Sequence, residues 1–222
     1  MERQIKLALS STDLVFYYTG AATTVDTTSS LGGTISANTI WDSIANNVYD
    51  DVTGDESTTG DTEYRCIAMK NTHATHDYID CKAWIDGCVR ESGAATRDTI
   101  SFSLEQPTGG TCDSVDTESD GPTWERTVPY EGGTTHGWTV EDATDATSSG
   151  TQDYGTLVYG TWCFIWLRRQ VPAGANAYSN RASTLKWQGE TTGSPRMILE
   201  KTWTINWYEN GISTYEHIAE IP

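Results

Sequence analysis

The sequence predicts an all-β protein, an antiparallel β-sandwich of jelly-roll or Ig-like type with long loops and at most one short helix. Three observations lead there. Apolar and polar residues alternate over short segments, turn-rich loops of Thr, Ser, Gly, Asp and Asn separate those segments, and helix-forming runs are nearly absent. Alternation marks a half-buried strand because successive side chains point to opposite faces of a sheet.

Residues 14–18 (LVFYY) read as the first strand, ended by Thr19-Gly20, and residues 21–34 as a polar loop. Residues 40–49 (IWDSIANNVY) are the one helix-like stretch, with Ile40, Ile44 and Val48 at fourth positions; a strand followed by a turn fits the same residues. Residues 50–62 (DDVTGDESTTGDT) read as an acidic loop. Residues 64–70 (YRCIAMK) and 78–84 (YIDCKAW) are strands, and the turn between them at 71–76 (NTHATH) makes them an antiparallel hairpin. A turn centred near His73 and Ala74 would set Cys66 opposite Cys81, and a one-residue slip would part them. A disulfide there would need close, well-oriented Cβ atoms.

Residues 99–105 (TISFSLE) alternate cleanly and read as a half-buried strand. Residues 106–123 and 131–153 are long loops rich in Gly, Asp and Ser, of the kind that is functional or lies against a neighbour. Residues 160–170 (GTWCFIWLRRQ) carry a nearly continuous apolar run, the mark of a buried central strand. Residues 183–188 (STLKWQ) and 197–208 (MILEKTWTINWY) follow, the latter with a bulge or face change near Glu200-Lys201. Asn210-Gly211 reads as a hairpin turn into a last strand at 212–218. No linker or internal repeat divides the chain. The expectation is one domain over 1–222, with 1–13 as an N-terminal arm and 196–222 as a C-terminal β-hairpin extension.

Thirty-one acidic residues against fourteen basic ones give a formal charge of -17. That field repels a phosphate backbone and an anionic bilayer, so neither nucleic acid nor membrane is an expected partner. No signal-peptide core and no apolar run long enough to span a bilayer is present, which predicts synthesis and folding in a cytosol. The five cysteines (Cys66, Cys81, Cys88, Cys112 and Cys163) fit no disulfide scaffold and read as reduced thiols.

Chemistry-bearing patterns are scarce. His73 and His76 stand three apart with Cys66, Cys81 and Cys88 nearby in sequence, but the spacing is not that of a zinc site, and turn histidines are commonly solvated. Asp50, Asp51, Asp55, Glu56 and Asp61 offer oxygens for calcium without an EF-hand spacing, and solvated acidic loops read the same way. There is no GxSxG, HExxH or P-loop, and Cys163 sits in a core strand, so no catalytic residue, metal or cofactor is expected. Of nine tryptophans, Trp124 and Trp138 lie in or beside long loops, where they can anchor an interface, cover the core edge or stack on a sugar. Arg168 and Arg169 flank the core strand and offer charge-assisted contacts, either to acidic neighbours or to this chain's own carboxylates.

The run Gly60-Asp61-Thr62-Glu63-Tyr64-Arg65-Cys66-Ile67, followed by Lys70-Asn71-Thr72-His73-Ala74-Thr75 and Trp84-Ile85, resembles a group of tailed-phage structural (virion) proteins. So do Phe16-Tyr17-Tyr18-Thr19-Gly20, Leu31-Gly32-Gly33-Thr34-Ile35-Ser36, Asp50-Asp51-Val52-Thr53-Gly54-Asp55-Glu56, residues 165–174 (IWLRRQVPAG) and Gln188-Gly189-Glu190-Thr191, in order over 14–192. The resemblance implies a β-sandwich protein of the virion, made in the host cytoplasm and without enzymatic activity. Within that frame the leading expectation is a capsid decoration (cement) protein, a homo-oligomer that binds the major capsid protein lattice and stabilises the head. The alternatives are a tail, baseplate or fibre component, or a host-glycan-binding module with Trp124 and Trp138 as stacking platforms.

Overall fold

The computed structural model describes residues 9–42, 44, 46–86, 99–122, 138, 151–175, 181–192 and 197–207, with backbone alone at 86, 181–182 and 203–207. Among the described residues, ten strands lie in two antiparallel sheets. The larger has the order β5-β8-β3-β1-β2-β6, formed by β1 (Leu14–Gly20), β2 (Gly32–Thr39), β3 (Asp61–Asn71), β5 (Thr99–Glu105), β6 (Thr111–Ser114) and β8 (Trp162–Val171). The smaller has the order β10-β9-β4-β7, formed by β4 (Tyr78–Asp86), β7 (Gln152–Leu157), β9 (Arg181–Thr191) and β10 (Ile198–Trp207). The all-β sandwich read from the alternation is the architecture observed.

Strands β3 and β8 form the spine, in continuous register from Asp61↔Val171 to Lys70↔Trp162. Their inner face (Ile67, Met69, Cys163, Ile165 and Leu167) meets Cys81, Ala83, Ile85, Leu185 and Trp187 of the smaller sheet in the main core. Their outer face (Cys66, Ala68, Phe164 and Trp166) forms a second cluster with Tyr64 and Val115. Burial on both faces explains why 163–167 read as an unbroken apolar run rather than an alternating one.

The second cluster exists because the larger sheet curls. Bulges between Tyr17 and Gly20 turn β1 away from β3. Beyond that point the Cys66 amide donates to Ser30 O at 2.8 Å and the Tyr64 amide to Glu118 O at 2.7 Å, so β3 keeps its hydrogen bonds without β1. Gly32, at φ +88, lies where a Cβ would collide with the Asp113 carbonyl and the Trp166 ring. Only glycine lets β2 and β6 come this close to β8.

Strands β3 and β4 do not form the expected hairpin. They belong to different sheets, and residues 72–77 carry the chain from one layer to the other. Strand β3 takes β1 and β8 as neighbours, whereas β4 pairs with β7 and β9. The Asn71 amide secures the crossing, donating to His76 O at 2.9 Å and Leu157 O at 3.2 Å. Cys66 and Cys81 are therefore in separate sheets, and both are free thiols.

Four further expectations change. Among the described residues of 40–49 there is no helix: Ile40 and Val48 are buried, but Trp41 is 72% exposed and Ile44 51%, so the four-residue spacing marks no common face. The helical turns lie instead in the stretch read as acidic loop, at α1 (Gly54–Thr59), where Thr53 and Glu56 form a capping box. The loop 106–123 contains β6. Strand β10 pairs with β9 in unbroken register from Ile198↔Glu190 to Trp207↔Arg181, without a bulge at Glu200-Lys201.

At the N-terminal side, Leu9 is buried, Ser10 caps a single 3-10 turn at Ser11–Asp13, and Tyr78 donates its hydroxyl to Ser10 O at 2.5 Å. Residues 1–8 and 208–222, with the Asn210-Gly211 turn, lie outside the described residues. No helix among the described residues is long and apolar enough to cross a membrane.

Candidate functional site

Among the described residues, the buried charges gather where β3 begins and β8 ends. Alternation along β3 sends Glu63 and Arg65 inward in line with Ile67 and Met69, and the register sets Arg169 opposite Glu63. Arg65 and Arg169 are fully buried. Arg169 donates from Nε to the Glu63 carboxylate at 2.5 Å, reaches the same carboxylate through Nη2, and donates from Nη1 to Asp50 O at 2.7 Å. Arg65 donates to Tyr64 O at 3.0 Å and to the Glu118 carboxylate at 2.5 Å. The buried Tyr49 ring faces both guanidinium carbons, at 5.6 Å from Arg65 and 4.9 Å from Arg169.

Burial pushes the Glu63 carboxyl up to about 7, against the pull of Arg169 and Arg65. Burial also raises the Tyr49 phenol, again against the two arginines. Asp50 and Glu118 complete the cluster from the rim, where they reach water. Two guanidiniums thus face three carboxylates of the same chain. The arrangement ties β3, β8 and the segment around Asp50 together, and its charges are answered internally.

The metal-directed readings resolve locally. Among the described residues the one group of potential ligands that converges is Glu56, Asp61 and Glu63, with oxygens within 4.8 Å of one another. Glu56 is engaged in the α1 cap, accepting from Thr53 N at 2.7 Å, and Glu63 by Arg169. Asp51 accepts from Asn46 at 2.7 Å. His73 and His76 stack edge to face with centroids 4.7 Å apart, and His73 Nδ1 accepts the amides of Thr75 and His76, which holds the turn.

Of the interface candidates, Arg168 and Trp138 meet each other. Arg168 points to the outer face, donates from Nε to Ser101 Oγ at 3.1 Å, and lies 4.6 Å above the Trp138 ring. Trp138 packs in turn on Tyr64, centroids 5.7 Å apart. Arg169, one residue on, faces inward as strand geometry requires and pairs with this chain's own carboxylates. Trp124 lies outside the described residues.

The exposed apolar side chains are elsewhere and were not singled out from the sequence. Val158 and Tyr159 sit in the turn from β7 to β8, Met197 and Ile198 where β10 begins, Trp41 and Ile44 beyond β2, and Val25 in the loop between β1 and β2. Register brings most of them to one end of the sandwich. Tyr78 pairs with both Leu157 and Thr191, Thr191 N donates to Met197 O at 2.9 Å, and Tyr159 N donates to Asp77 at 2.8 Å. Trp41 leaves the larger sheet at the same end, since Ile40 N donates to Phe16 O and Phe16 lies beside Met69. The sequence signal was faint: an apolar pair directly before the turn glycine Gly160, and another one residue after the Gly193-Ser194-Pro195 break.

A groove of about 480 Å³ lies on the smaller sheet, lined by Asp80, Cys81, Lys82, Asp153, Gly155, Gln188 and Glu190. Its floor is a bulge in β4 that holds Asp80 at φ +50. Lys82 and Asp153 pair across it at 3.6 Å.

No family model and no curated protein matches the chain. Among solved structures, the N-terminal domain of PorA is similar at TM-score 0.34 and 12% identity, over 90% of this chain and 99% of that one. A family 123 glycoside hydrolase from Clostridium perfringens is similar at TM-score 0.33 and 11% identity, over 72% of this chain. The match spans only 22% of the hydrolase. The collagen-binding domain of a Staphylococcus aureus adhesin is similar at TM-score 0.26 and 11% identity, over 71% of this chain and 93% of that one.

Proposed function

We propose that the chain is a structural, non-catalytic component of a tailed-virus particle, acting as a decoration protein that binds the major capsid lattice and stabilises the head. The observation that supports this reading is the separation of the molecule into a stiff body and a contact end. The body is packed on both faces of its larger sheet and tied by internally answered charges. The contact end shows Trp41, Val158, Tyr159, Met197 and Ile198 to solvent. Large apolar side chains grouped at one end mark an interaction surface more often than scattered ones do.

The mechanism is adhesion. An interface above ~1,000 Å² per copy ties neighbouring subunits together, and oligomers repeated over a shell multiply the effect through avidity. The -17 charge keeps unbound copies apart until they dock. The test is to locate the chain in purified particles and count it. Hundreds of copies on the head surface are the expected result. A handful at the tail moves the protein to the tail tip or baseplate, and absence from mature particles overturns the reading. Combined Trp41→Ser and Tyr159→Ser substitution is expected to leave the fold intact, since both side chains are exposed, and to strip the protein from the shell.

A further inference from the structure

We propose that Cys66 and Cys112 are a disulfide-forming pair that closes under oxidising conditions and staples the outer β2–β6 ribbon to the spine of the larger sheet. Their Sγ atoms are 3.7 Å apart, and the two residues stand 46 positions apart in the sequence. Closing the bond needs a sulfur–sulfur distance near ~2.05 Å, an approach of less than about 2 Å. Cys66 is held in the rigid part of the contact: its amide donates to Ser30 O, and its carbonyl accepts from Thr19 and Ser30, each at 2.6 Å.

Cys112 is on the adaptable side. Strand β6 has four residues and meets β2 only at Gly32↔Ser114 and Thr34↔Thr111, with a register shift between. A rotation of Cys112 with a small shift of this ribbon brings the sulfurs together.

The same geometry orders the chemistry. Cys112 is half-buried, whereas Cys66 is fully enclosed and burial raises its thiol. With a low-molecular-weight disulfide such as oxidised glutathione as oxidant, the Cys112 thiolate attacks one sulfur. The oxidant's S–S bond breaks and one glutathione thiolate leaves. The Cys66 thiolate then attacks the Cys112 sulfur of the mixed disulfide and expels the second glutathione. Two protein thiols are oxidised, one disulfide is reduced, and the two protons released by the protein go to the two glutathione thiolates. Because Cys66 must ionise in an apolar site, the second step is the slow one. Cys81 and Cys163 are shut inside the main core on the inner face and do not compete.

The experiment incubates the full-length chain, natively folded, with oxidised glutathione, then blocks remaining thiols after denaturation and maps peptides without reduction. A parallel sample carries Cys88→Ser, so that this thiol, outside the described residues, cannot confuse the result. The expected product is a linked Cys66–Cys112 peptide lacking two hydrogens, preceded by a transient glutathione adduct on Cys112. The oxidised protein should melt higher by roughly 5 °C or more, reversed by reductant and absent in Cys112→Ser. A stable adduct on Cys112 with Cys66 still free, or a link from Cys112 to any other cysteine, overturns the inference. None of these outcomes depends on whether the chain belongs to a virus shell.

Discussion

Replacing Arg169 by Met tests whether the buried charges hold the sandwich together. The side chain is fully buried, with Nε 2.5 Å from the Glu63 carboxylate and Nη1 2.7 Å from Asp50 O, and its guanidinium lies 4.9 Å from the Tyr49 centroid. Methionine retains much of the volume and leaves Glu63 without its nearest cation. At about pH 8, where Glu63 is ionised, breaking a buried pair in this way costs ~3–5 kcal/mol, against a total stability of about 5–15 kcal/mol for a domain. The loss should appear in urea unfolding as a lower midpoint at nearly unchanged slope. Adding Glu63→Gln removes the stranded charge, so the double variant should recover part of the loss, with a coupling of about 2 kcal/mol or more in the four-state cycle. Arg169→Lys should fall between, since an ammonium cannot reach Glu63 and the Asp50 carbonyl with the same fork. A single-variant cost under about 1 kcal/mol, or a coupling near zero, would refute the view that these charges are interdependent.

Further expectations follow from the same geometry. Glu63 holds its proton with a folded value of about 7 against an ordinary 4.5, so between those values the folded state binds more protons than the unfolded one. Its contribution to stability therefore falls as pH rises through that window, by roughly 3 kcal/mol in all. Urea midpoints at about pH 5 and about pH 8 should show this difference in the wild type and lose it in Glu63→Gln; equal pH responses would sink the assignment. Gly32→Ala places a Cβ against the Asp113 carbonyl and Trp166 at a positive φ, and should cost roughly 3 kcal/mol or prevent folding, read by thermal melting. Thr53→Ala removes the acceptor for Glu56 N and should cost about 1 kcal/mol, read in the same melts.

What could be read from the sequence was whatever depends on local pattern. The run at 163–167 declared a strand buried on both sides; the alternation at 99–105 declared a strand too, but a half-buried one, whereas Ser101 and Ser103 are as buried as Ile100, Phe102 and Leu104. The partner of each strand was not legible. The turn at 71–76 suits a tight hairpin and a crossing between layers equally well. The spacing of Ile40, Ile44 and Val48 imitated a helical face by coincidence, while the capping box at Thr53 and Glu56, a true helix start, was passed over inside an acidic loop. Arg168 and Arg169 looked equivalent side by side. Strand geometry divides them, and only the register could say which one turns toward Glu63. The exposed apolar end was invisible for a similar reason, since exposure is a property of the assembled layers.

Gln152 has a consequence beyond its own strand. Its side-chain amide accepts from Leu104 N at 2.9 Å and donates to Phe102 O at 3.1 Å, imitating a peptide unit against the outer margin of β5. A bare sheet margin is a template for chain-to-chain zippering. One glutamine blunts that margin without adding a strand, so copies crowded shoulder to shoulder would meet through side chains and stay discrete particles instead of growing into a fibre.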